Sequence, residues 1–91
     1  MTKRLHLFVS GIVQGVYFRQ SLKETADKNN VSGWVRNLPD QRVEAVLEGD
    51  ESNVDAVADW SYFGPAGAVV EDLEIINEPY RGEFSNFEIR Y

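Results

Sequence analysis

The stretch Ser10-Gly-Ile-Val-Gln-Gly-Val-Tyr-Phe-Arg19 places two glycines four residues apart and an arginine four residues further on. Glycine lets backbone approach a ligand with no Cβ in the way. Between a strand and a helix, such a loop turns its amides and the first helical N–H groups toward a common point, where an anion can sit. The spacing is Gly-x-x-x-Gly, and no Gly-Lys-Ser/Thr follows, so neither the Walker loop nor the dinucleotide fingerprint is present. Arg19 sharpens the reading. In the first turn of a helix, the macrodipole disfavours a cation by roughly 0.3–1 kcal/mol. A bound anion satisfies cation and dipole together, and a guanidinium meets phosphate with two parallel hydrogen bonds. From the loop alone, an Arg19 that reaches solvent or pairs with an acid is an equally open reading.

Asn37 closes a second segment, Gly33-Trp-Val-Arg-Asn37. An amide at the end of a strand commonly caps the turn that follows; the functional alternative is an amide that orients water. His6 is the single histidine and the chain has no cysteine. Disulfides, thiol nucleophiles, Cys-ligated zinc and iron–sulfur clusters are thereby excluded, and His6 reads as a packing or surface residue rather than a metal ligand. Trp34 and Trp60 read as packing residues. Arg36, next to Asn37, should face the opposite side of the sheet and meet solvent. Glu71, Asp72 and Glu74 read as a solvated face.

These side chains need elements to carry them. Leu5, Leu7 and Val9 alternate with His6, Phe8 and Ser10, which predicts a strand over 4–10. The glycine loop then covers 11–17. Phe18, Leu22 and Ala26 recur every four residues and mark one face of a helix over 18–29, with Asn29-Asn30 suited to a left-handed stop. A strand over 31–37, a turn over 38–41 with Pro39 second, and a strand over 42–48 follow. Ser52-x-x-Asp55 resembles a capping box that opens a helix to about Phe63, with Val54, Val57, Ala58 and Ser61 on one side and Gly64-Pro65 at its end. Strands over 69–76 and 87–91 complete the order β-α-β-β-α-β-β. That order predicts an α+β, ferredoxin-like split β-α-β sandwich: an antiparallel sheet, two helices on one face, and a short C-terminal fifth strand.

The 91 residues, 43% of them hydrophobic, suit a single domain over 1–91 with one modest core. The net charge is −6, and such a surface repels nucleic-acid phosphates. The first apolar run is too short for a signal peptide or a membrane span. Absence of cysteine is compatible with the reducing cytoplasm.

Val13-Gln-Gly-Val-Tyr-Phe-Arg19, followed at a short distance by Gly33-Trp-Val-Arg-Asn37, resembles the acylphosphatase family. The likeness continues through Val43 to Gly49, Gly64-Pro65, Ala68-Val69 and Phe84-x-x-Phe87, and so covers essentially the whole chain. The resemblance implies metal-independent hydrolysis of a carboxyl–phosphate anhydride to a carboxylate and inorganic phosphate, with no cofactor. On the matching positions it makes Arg19 the phosphate-binding arginine and Asn37 the group that positions the attacking water. The backbone amides of Gln14, Gly15, Val16, Tyr17, Phe18 and Arg19 become the phosphate cradle. The implied partners are a small-molecule acyl phosphate and inorganic phosphate, with no nucleic acid and no membrane, for a monomeric cytoplasmic protein. The alternative is a non-catalytic anion-binding module on the same fold; RNA binding lacks the paired aromatics and the positive field. Three positions depart from the family pattern. Gln41 stands where glycine is usual, so that either Gln41 is strained at positive φ or Asp40 takes the left-handed role. Tyr17 replaces a residue that is often small and should line the mouth of the loop. Asn29-Asn30 replaces a common Leu-Gly helix end.

Overall fold

Alternation of apolar and polar side chains builds the first strand, β1 (Thr2–Ile12), with Leu5, Leu7 and Val9 buried on one face. A computed structural model describes all 91 residues, in the further order α1 (Phe18–Lys28), β2 (Ser32–Asn37), β3 (Val43–Asp50), α2 (Glu51–Ser61), β4 (Val69–Glu78) and β5 (Phe87–Arg90). The five strands form one sheet in the order β4-β1-β3-β2-β5. The fold is the expected ferredoxin-like sandwich, with one correction: β5 runs parallel to β2, so the sheet is mixed rather than antiparallel. The chain leaves β4 at one edge, crosses to the other through 79–86, and enters beside β2 in the same direction.

The core lies between the sheet and the two helices. Phe18, Leu22 and Ala26 of α1, with Val54, Val57 and Ala58 of α2, pack on Leu5, Leu7, Val9, Ala45 and Leu47. These are the helix faces that the four-residue spacings mark out. The strands extend two residues beyond expectation in β1, β3 and β4. Gly11 and Ile12 therefore belong to β1, and the loop shrinks to 13–17.

Two local expectations need correction or completion. Ser52-x-x-Asp55 does not open α2. Asp50 is the N-cap and makes no side-chain capping bond; the Met1 carbonyl accepts the Glu51 N–H instead, at 2.8 Å, and Asp55 is drawn off to the Lys3 ammonium at 2.8 Å. The end of α1 behaves as expected: Asn30 sits at φ 55, and the Val31 N–H reaches back to the Ala26 carbonyl at 2.9 Å, as in a Schellman stop.

The face of the sheet away from the helices carries a polar network. Arg4, 7% exposed, bonds Glu78 at 2.8 Å, Glu83 at 2.7 Å and Glu48 at 3.2 Å. Glu48 in turn accepts the backbone N–H groups of Arg81, Gly82 and Glu83, which fixes the crossing segment that leads to β5. Burial alone would push the Glu48 carboxyl up; the Arg81 N–H, Arg4 and the Glu83 and Gly82 N–H groups outweigh it and hold it below its ordinary range. His6 lies between Glu44 and Glu78, at 2.7 and 2.9 Å, and stacks on Phe8, so it packs on this face as part of the polar network.

Candidate active site

β1 and β2 both run antiparallel to β3, so their C-terminal ends lie at the same end of the sheet, where β5 also ends. Register places Asn37 opposite Val43 and Val43 opposite Val9, on the helix side of the sheet. The 13–17 loop delivers the chain from that end of β1 into α1. A cleft of about 490 Å³ opens there, and Gly15, Tyr17, Arg19 and Asn37 all line it. The two segments singled out in the sequence thus meet at one concave site.

The two glycines of the opening stretch have different reasons to be there. A Cβ on Gly11 would lie 2.1 Å from the Val69 carbonyl oxygen, where the β1–β4 register shifts. Gly11 is a bulge residue of the sheet. Gly15, at φ 74 with open space around it, is the glycine of the loop. Tyr17 follows at φ 61 and serves as N-cap of α1 without a side-chain capping bond. None of the N–H groups of 14–17 enters a turn or loop hydrogen bond, and the Ser21 N–H makes the first bond back to this segment, to the Tyr17 carbonyl at 3.0 Å. No acidic side chain occupies the first turn of α1. The loop and helix start therefore leave unspent donors and a positive dipole end beside the cleft that Gly15 and Tyr17 line.

Arg19 stands out among the cations. Lys3, Arg4, Lys23, Arg36, Arg42 and Arg90 each pair with a carboxylate. Of the basic side chains without one, Lys28 and Arg81 are exposed and Arg19 is half-buried. Its companion is an aromatic ring: the guanidinium carbon lies 4.9 Å from the ring centre of Tyr91.

Asn37 does not cap the turn. Its Oδ1 is buried with no hydrogen-bond partner, although buried polar atoms are rarely left unpaired. The turn is held by other means. Leu38 to Arg42 closes the β2–β3 hairpin through Leu38 N–H to the Arg42 carbonyl at 2.8 Å and Gln41 N–H to the Leu38 carbonyl at 3.2 Å. Gln41 takes the left-handed conformation itself, at φ 78, and Asp40 does not. This is a three-residue hairpin loop with its last residue left-handed. Asp40 accepts the Arg42 N–H and the Arg42 guanidinium, which hold its carboxyl below the ordinary range.

One contributor escaped the sequence reading. The Gln14 side chain donates to the Leu38 carbonyl at 2.8 Å and the Arg42 carbonyl at 3.0 Å. It ties the glycine loop to the turn behind Asn37. Nothing in the residue pattern announces a bond across 24 positions, and the family resemblance implicates Gln14 only through its backbone amide. Arg36, as expected, projects to the opposite face, where it bonds Glu44 at 2.6 Å and lies over Trp34.

A half-buried arginine without an acid, open backbone donors at a helix start and an unpartnered amide in one cleft describe the class of site that handles a small oxyanion. The match to known proteins is specific. The family model for acylphosphatase matches residues 5–89. An acylphosphatase of Pyrobaculum arsenaticum is 58% identical over 94% of this chain and 92% of its own length. One from Syntrophus aciditrophicus is 50% identical over 100% and 95%. The crystal structure of the Bacillus subtilis acylphosphatase superposes with a TM-score of 0.94 at 32% identity, covering 100% of both chains. The chain belongs to the acylphosphatase family, and its enzymatic class is that of a hydrolase acting on acyl phosphates. No helix is long and apolar enough to cross a membrane.

Proposed function

We propose that the chain hydrolyses the carboxyl–phosphate bond of acyl phosphates without a metal, using Arg19, the 14–19 amides and Asn37 in separate roles. The observation that carries the proposal is the convergence of a half-buried, acid-free Arg19 and the unpartnered Asn37 Oδ1 on one cleft. Phosphoryl transfer passes through a loose transition state with its charge on the equatorial oxygens. The backbone N–H groups and the guanidinium stabilise that charge. Asn37 has no useful basicity; its amide oxygen accepts a hydrogen bond from water and aims it in line with the scissile bond. The proton lost by that water passes to the phosphoryl oxygens, so no histidine or carboxylate base is required. The products are a carboxylate and inorganic phosphate, and phosphate should inhibit by occupying the same donors.

The test is hydrolysis of benzoyl phosphate in the presence of EDTA with inorganic phosphate as inhibitor. Chelator-resistant turnover with competitive inhibition supports the proposal. Phosphate binding without turnover would instead assign the chain to the anion-binding modules.

A further inference from the structure

The segment 79–86 crosses from β4 to β5 with little of its own to hold it. None of its side chains is buried, and only Phe84 is half-buried. Its one backbone hydrogen bond to the rest of the fold is the Asn86 carbonyl, which accepts the Gly33 N–H at 3.0 Å. Its remaining hydrogen bonds run through two side chains. The Glu48 carboxylate accepts the N–H groups of Arg81 at 2.8 Å, Gly82 at 3.3 Å and Glu83 at 3.2 Å. Arg4 bonds the Glu83 carboxylate at 2.7 Å and lies over the Phe84 ring, with its guanidinium carbon 5.4 Å from the ring centre. Arg4 and Glu48 also bond each other at 3.2 Å, so the two form one clasp.

The clasp secures a wall of the cleft. β5 lies at the edge of the sheet and pairs only with β2, over four residues. Its one buried side chain is Phe87. Ile89 and Tyr91, which line the cleft, are carried by this strand and the residue after it. Segments with few buried apolar side chains open at lower free energy than the core, in contiguous units. Glu48 suits the task of closing such a segment. An ionised carboxylate has acceptor sites for three N–H groups and a guanidinium together, whereas an amide of the same length has one acceptor oxygen and turns two donors toward the others.

We propose that 79–91 is a strap that opens as one unit while the rest of the fold stays intact, with Glu48 as its latch. Opening takes the β5 wall away from the cleft, so the site can be unmade without unfolding the protein. The latch lies on the open face of the sheet and the cleft at the sheet's end; β5 connects the two.

The experiment is amide hydrogen exchange, residue by residue, in the unaltered protein, in Glu48→Gln and in Val57→Ala. In the unaltered protein the amides of 81–83 and the protected amides of 87–91 should exchange as one group, roughly 10-fold or more faster than those of Leu7, Ala45 and Leu47 after correction for intrinsic rates. Glu48→Gln should accelerate the strap group roughly 10²-fold. Val57→Ala loosens the core under α2; it should accelerate the Leu7, Ala45 and Leu47 amides roughly 10- to 10²-fold and leave the strap group unchanged. Strap amides that exchange at core rates, or that accelerate with the core in Val57→Ala, show a single cooperative unit and overturn the proposal. So does separate opening of 81–83 and 87–91, or strap exchange unchanged in Glu48→Gln. The unaltered protein and Val57→Ala decide the matter even where Glu48→Gln fails to fold, and the readout holds whatever the cleft hydrolyses.

Discussion

Arg4 is buried and Arg19 half-buried, and the two are treated in opposite ways. On the open face of the sheet Arg4 is ringed by Glu48, Glu78 and Glu83. Burial disfavours its charge, but the three carboxylates hold its proton more tightly than normal. At the end of the sheet Arg19 has no carboxylate, although the chain carries 15 acidic residues. It sits instead at the positive end of α1, against the dipole. The first arrangement is complete in itself and holds the crossing segment in place. In the proposed function, the second is completed by an anion from outside. In an acidic protein, a half-buried cation kept free of acids is a better sign of a phosphate site than a cation as such.

The contrast can be broken by substitution. Arg19→Ala should lower kcat/KM for acyl phosphate hydrolysis by roughly 10²-fold or more and abolish phosphate inhibition, with little change in the urea midpoint. Arg4→Ala should do the reverse. It leaves buried Glu48 without its cation and should cost roughly 3 kcal/mol of stability, read from the urea midpoint, while kcat for the surviving folded protein stays near that of the unaltered chain. A large loss of turnover in Arg4→Ala at full folding would erase the distinction.

The same comparison has a pH signature. Arg4 and His6 hold the Glu78 carboxyl below its ordinary value of 4.5, and Glu48 is held below the same value by the groups described above. Carboxyls depressed in the folded state contribute stability that is complete above their unfolded values and drains as pH falls through the folded ones. Urea midpoints should therefore fall between about pH 4.5 and lower pH, and Arg4→Ala should flatten that dependence.

Gln14 offers a smaller effect that bridges the two ends of the site. Gln14→Ala removes both bonds to the 38–42 turn, and the expected result is a roughly tenfold loss of kcat through misplacement of Asn37, with about 1 kcal/mol of stability lost. Gln41→Gly should have the least consequence for activity. It relieves a left-handed side-chain-bearing residue and should raise stability by about 0.5–1 kcal/mol, seen as a higher Tm.

Much of this architecture was legible because periodicity reports burial directly. The Phe18, Leu22, Ala26 and Val54, Val57, Ala58 spacings marked the faces that are buried. Arg19 was legible because glycine and helix-start chemistry is local, whereas Asn37, whose local reading is a turn cap, was marked only by the family resemblance. What stayed hidden depends on contacts between distant segments. The parallel pairing of β5 follows from a crossing segment tied to Glu48, and no local pattern encodes that tie. The start of α2 lies one residue before Ser52 because the Met1 carbonyl, from the other end of the chain, accepts the Glu51 N–H, a partner that no local pattern announces. Gly11 looked like part of the phosphate loop, and only the neighbouring strand β4 shows why it must lack a side chain.

The division of labour between Arg19 and Asn37 is the centre of the account, and Asn37→Ala tests it most directly. With kcat for benzoyl phosphate and the inhibition constant for inorganic phosphate measured on the same preparation, kcat should fall roughly 10²-fold while the phosphate constant stays close to its unaltered value. Weakened phosphate inhibition with kcat preserved would contradict the assignment of water positioning to Asn37.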